Sequence, residues 1–132
     1  MRRVVVTGLG LVGPGGNNVD EVWQSVLAAR TAAGPITLFD AGELPVKLAA
    51  EVRDFDPTRA MPLKEARQRS RFIQFAVVAA QEAMSDSGLE SGASPERYGC
   101  TIGVGLGGFY EIEQGALLLA ERGPRRISPL LI

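Results

Sequence analysis

Cys100 is the only thiol in the sequence and its one evident candidate for nucleophilic chemistry. A cysteine attacks as its thiolate, which a histidine, a cation or a helix N-terminus must favour. Histidine is absent from all 132 residues. Cys100 also opens the run CTIGV, which reads as an inner strand and not as a helix start. Those surroundings predict a small buried hydrophobe. No catalytic residue is therefore assigned, and no metal-binding set.

The glycines raise a second chemistry. Gly8, Gly10 and Gly13 satisfy GxGxxG after a strand-like run, the pattern of a dinucleotide site. Such a site starts its helix at the third glycine, so that free N–H groups meet the pyrophosphate. Here Pro14-Gly15-Gly16-Asn17 postpone the helix, and residues 28–34, where an acidic ribose contact would fall, hold no acid. Gly103, Gly105 and Gly108 repeat the pattern, but Glu111 and Glu113 would sit in the first helical turn and repel phosphate. With 16 glycines in the chain, two matches discriminate little. Tight turns and close backbone approach are the expected use of these glycines, and no cofactor is expected.

The third group is cationic. Lys64, Arg67, Arg69 and Arg71 crowd the segment KEARQRSR, and Arg125 and Arg126 follow a Gly-Pro break that suits an exposed loop. On one continuous helix, Lys64, Arg67 and Arg71 would share a face. Charge alone reads as a solvated surface. On a chain of net charge −1, a surface this locally positive also suits an acidic partner.

Strands and helices must position these groups. Val4 to Thr7 is β-branched and reads as a buried strand. Asn18 with Glu21 has capping-box spacing, and Val19, Val22, Trp23, Val26 and Leu27 share a face, which predicts a helix over 18–30. Val46 to Val52 alternates as a strand with one buried face. Residues 63–87 read as one helix ending at Gly88, a C-terminal cap, and FIQFAVVAAQEAM within it predicts burial. Ala76, Ala79, Ala80 and Ala83 would let another element approach closely. Cys100 to Val104 reads as an inner strand, and 109–121 as a helix ended by Gly123-Pro124. Strand alternating with helix is the pattern of an α/β layered fold.

Composition sets the outer bounds. At 45% hydrophobic residues the chain is that of a globular protein, and no basic excess points to nucleic acid. No apolar run approaches the roughly 18 residues of a membrane span. Met1 leads straight into a strand-like run, so no secretory leader is expected, and a single cysteine fits a reducing cytoplasm.

Several blocks in order carry a family resemblance: VVVTGLG, VWQSVLAAR, FDAGELPVKLAAEV, KEARQRSRFIQFA, YGCTIGVGLGGF and GPRRISP. Together they resemble the N-terminal part of the type II 3-oxoacyl-[acyl-carrier-protein] synthases, condensing enzymes of the thiolase fold. The resemblance implies a thiolase-like α/β fold of two related halves, with residues 1–132 forming the N-terminal part of the first half. It implies acyl transfer to a cysteine, then condensation with malonyl-carrier protein and loss of carbon dioxide. The family's nucleophile and two histidines lie beyond Ile132, and Cys100 does not match that nucleophile. The apolar ending SPLLI fits a chain cut before the catalytic turn.

Two site roles are implied. Lys64, Arg67, Arg69, Arg125 and Arg126 match positions that meet the acidic acyl carrier protein, with Arg71 extending the cluster. Gln68 stands where a base is common, and Ser70 replaces a frequent acid. Leu106 corresponds to a position lining the acyl-chain pocket, and Leu130 and Leu131 to residues reaching the partner subunit's pocket of a homodimer; on residue type alone each is more simply a core leucine. The rival within the family is a chain-length-factor type subunit, which keeps the fold without the nucleophile. A non-catalytic module that binds a carrier protein or a synthase subunit is the rival outside it.

Overall fold

The computed structural model describes residues 3–89 and 95–129. Helix α1 spans Val19–Leu27, and the Oδ1 of its N-cap Asn18 accepts from the Glu21 N–H at 2.8 Å. The return bond of the capping box is displaced by one residue: the Glu21 carboxylate accepts from Asn17 N–H at 2.7 Å. The helix stops at Leu27 and not at Arg30, because Ala29 has turned into the left-handed region at φ 48°.

Strands β1 (Ala33–Pro35) and β2 (Leu48–Ala50) pair antiparallel, with Gly34 opposite Ala49. The strand expected over 46–52 is thus shorter, and Leu48 is exposed while Ala49 is half-covered, which inverts the expected buried face. Glu51, buried at 8% exposure, follows β2 and closes the loop beyond β1. Its carboxylate accepts from the Thr37 hydroxyl at 2.6 Å, from Thr37 N–H at 2.9 Å and from Leu38 N–H at 3.2 Å. The Thr37 hydroxyl bond, then the Thr37 amide, holds this carboxyl below its ordinary range.

The helix expected over 63–87 is two helices. Helix α2 (Leu63–Ala66) ends at Arg67, and α3 (Arg71–Ser87) starts after Ser70, whose ψ of 149° no α-helix can carry. Ser70 makes no side-chain capping bond to α3; its extended backbone alone separates the two helices. Gly88 caps α3 at φ 62°, as expected. Helix α4 spans Phe109–Arg122, and Gly123, at φ 75°, turns the chain into a 3-10 turn, Pro124–Arg126.

Two expected strands are absent. Val4–Thr7 and Cys100–Val104 carry no ladder, and Val4 is 95% exposed. β-Branched residues favour strands through cross-strand packing, and among the described residues these runs find no partner strand. Cys100 is consequently exposed, not buried. Helix α3 likewise buries only Val78. The small core consists of Ala41, Met61, Ala66 and Val78.

What does pack on α3 is the glycine-rich strap before α1. A Cβ at Gly10 would be driven into the Ala79 carbonyl, and one at Gly8 into that of Ala83. The expected close approach over the alanines is therefore met at Ala79 and Ala83.

Candidate functional site

The basic segment is a tight turn between α2 and α3, not one helical face. Lys64 and Arg67 are exposed, and neither side chain makes a hydrogen bond or ion pair with a described residue. Arg69 reaches Glu65 at 3.4 Å, with both side chains about half exposed (51% and 48%). An exposed pair of this kind holds Arg69 only weakly. The Gln74 carboxamide spans the turn, its Nε2 donating to the Ala66 carbonyl at 2.8 Å and to the Arg69 carbonyl at 2.9 Å.

Arg71 leaves the cluster to which its spacing assigned it. Its guanidinium donates to the Val52 carbonyl at 2.7 Å and lies over the rings of Phe55 (5.7 Å) and Phe75 (5.0 Å). Those rings meet edge to face at 4.7 Å. Because the helix breaks before Ser70, Arg71 starts a new axis and points at the 52–55 segment instead of continuing the face of Lys64 and Arg67.

The loop carrying Leu106 adjoins this turn. Gly107 abuts the Phe72 ring, where an added Cβ would come within 2.7 Å, and a Cβ at Gly108 would face the Ser70 hydroxyl at 3.6 Å. Leu106 itself is 72% exposed, so the described residues do not close an acyl pocket around it. Leu130 and Leu131 lie outside the described residues. Helix α4 starts at this loop and runs 14 residues, about 20 Å at 1.5 Å per residue. Arg125 and Arg126 are exposed on the turn at its far end. The two cationic groups thus stand at opposite ends of α4.

The glycine strap is closed to phosphate. Asp86 accepts the Leu9 N–H at 2.9 Å, and the two oxygens of Glu82 accept Leu11 N–H and Val19 N–H, each at 2.9 Å. The donors a pyrophosphate would need are taken by carboxylates that would also repel it. Reciprocal Gly13–Gly16 bonds at 2.9 and 3.0 Å close the Pro14-Gly15 turn. A cavity of about 530 Å³ lies beside the strap, lined by Leu9, Val19, Arg59, Glu82, Ser85 and Asp86 among others. It contains no thiol, and Arg59 already donates to the Asn17 carbonyl at 3.1 Å. No metal-ligating cluster occurs among the described residues.

Sequence reasoning missed Gln74, Glu82 and Asp86. The last two stand four apart on α3, a spacing that puts both carboxylates on one face, and that was the available signal. For Gln74 no local signal existed, because its role depends on a helix break that neither proline nor glycine marks.

Residues 1–132 match the family "Beta-ketoacyl synthase, N-terminal domain". The chain is 48% identical over 132 residues to the 3-oxoacyl-[acyl-carrier-protein] synthase 2 of Coxiella burnetii, covering 99% of this chain and 32% of that protein. It is 41% identical to the protein of the same name from Synechocystis sp. and 38% identical to that of Staphylococcus aureus, with the same coverage. It thus spans about a third of the length of these relatives. A solved structure described as the ishigamide ketosynthase/chain length factor superposes with a TM-score of 0.78 at 33% identity, over 98% of this chain and 33% of that one. The expected thiolase-like α/β fold is accordingly the fold of this domain, and the chain belongs to the β-ketoacyl synthase family, of which it carries the N-terminal domain.

Proposed function

We propose that this chain is the N-terminal portion of a 3-oxoacyl-[acyl-carrier-protein] synthase acting in fatty acid or polyketide synthesis. In the complete enzyme a cysteine thiolate takes the acyl group from its thioester. Decarboxylation of malonyl-carrier protein then yields the carbanion that attacks this acyl thioester, forming the new carbon–carbon bond and returning the thiolate. The observation that carries the reading is the identity of up to 48%, sustained over 132 residues, to proteins named for this reaction.

Within it, Lys64, Arg67, Arg69, Arg125 and Arg126 dock the acidic acyl carrier protein, and Leu106, Leu130 and Leu131 contribute to the acyl pockets of a homodimer in the cytoplasm. What supports docking is the exposure of these cations and their placement at both ends of α4. Complementary charge speeds encounter and fixes orientation, and weakens with salt. In the full-length protein, Arg67→Glu with Arg126→Glu raises KM for the carrier-bound substrate far more than for a small acyl thioester. An equal loss on both substrates refutes docking. Residues 1–132 alone, lacking histidine, form no 3-oxoacyl product; product from purified chain refutes that assignment.

The chain-length-factor reading is favoured by one observation, the similarity to a structure described as a ketosynthase/chain length factor. Full-length protein that is inactive alone yet needed by a ketosynthase partner would establish it.

A further inference from the structure

We infer that Gln74 is the positioning residue of the basic turn: its carboxamide sets the geometry in which Lys64, Arg67 and Arg69 meet the carrier protein. This rests on the docking reading above. Helix α2 has four residues, too few to hold its own shape in water. Something outside it must fix the turn if its cations are to present one arrangement to a partner. Ala66 is buried at 2% exposure and anchors one side of α2. On the other side, Gln74 is the side chain that joins the turn to α3, and it does so twice, with both Nε2 donors used on carbonyls that bracket Arg67.

Its own platform is firm. One turn of helix before it, Arg71 is tied to the Val52 carbonyl and stacked on Phe55 and Phe75. The carboxamide therefore transfers the fixed position of α3 to a cationic turn that has no other side-chain link to that helix among the described residues. Ordering the turn before encounter removes that cost from binding, and this is how a neutral, half-covered residue can govern an electrostatic contact. The exposed Arg69–Glu65 pair cannot do this, because both its partners lie on the α2 side of the turn.

The experiment uses full-length protein and reads the ratio of KM for malonyl-carrier protein to KM for a small malonyl thioester. Gln74→Met, of similar length and without donors, raises that ratio about three- to tenfold, the effect of losing hydrogen bonds that order a contact. With Lys64, Arg67 and Arg69 all replaced by alanine, adding Gln74→Met changes the ratio no further, since there is nothing left to position. A full additional rise in that background overturns the positioning role, as does an unchanged ratio in Gln74→Met alone. A triple-alanine variant with the wild-type ratio sinks the docking reading and the positioning role with it. If Gln74→Met folds poorly, Gln74→Glu, matched in size and offering the carbonyls only acceptors at neutral pH, is read in the same cycle with the same outcomes.

Discussion

Arg67 and Arg71 are four residues apart and alike in type, yet the structure gives them opposite employment. Arg67 projects from the end of α2 without a described partner, whereas Arg71 is spent on Val52, Phe55 and Phe75. Arg71→Ala loses a charge-assisted hydrogen bond and two cation–π contacts at a solvent-accessible site. It lowers stability by about 1–2 kcal/mol, read by urea denaturation of the full-length protein. Arg67→Ala leaves that midpoint within about 0.5 kcal/mol, as surface substitutions do. Glu51 gives a second prediction, in pH. Its folded-state pKa lies below 4.5, so its contribution is complete above that value and is lost as acid drives the pH down through the folded pKa. Glu51→Gln flattens this limb, and stability that still falls equally steeply below pH 4.5 would show that other carboxyls dominate.

Helices α1 and α4 and the Gly88 cap were legible in sequence because local signals specify them: apolar period, N-cap chemistry and a left-handed glycine. Of the expected strands, the one over 46–52 is present but shortened, whereas Val4–Thr7 and Cys100–Val104 hold only a preference that a neighbour must realise. The break at Ser70 was missed because neither proline nor glycine marks it. Of the candidate site, the exposure of Lys64 and Arg67 could be read from charge, but the inward turn of Arg71 and the Gln74 bridge depend on where α3 begins. The strap on α3 yields the prediction at this scale. Gly10→Ala pushes a methyl group into the Ala79 carbonyl, which belongs to helix backbone and cannot swing aside. The expected loss is about 1–3 kcal/mol by denaturation of full-length protein, typical of overpacking. Gly103→Ala, where open space surrounds the backbone, serves as the control.

The whole chain exposes 10844 Å², against about 6,700 Å² for a compact monomer of 14.0 kDa. Val4, Val6, Ile102 and Val104 are all more than half exposed. Apolar surface and unpaired strand-forming backbone on this scale associate with whatever copies themselves in solution. Residues 1–132 produced alone therefore self-associate, seen as early elution with raised mass in light-scattering chromatography. A monomeric peak with a cooperative melt would show that the domain stands by itself.

The clip between Leu9 and Asp86 joins residues 77 positions apart. On a ribosome adding ~5–20 residues per second, the amide of Leu9 waits roughly 4–15 s after its own synthesis before its carboxylate partner exists. Throughout that interval the strap from Gly8 to Leu11 has no helix to lie on, and its backbone is available to any holdase chaperone near the exit tunnel. Translation speed across α3, more than the affinity of the finished clip, then sets how long the amino terminus depends on assistance.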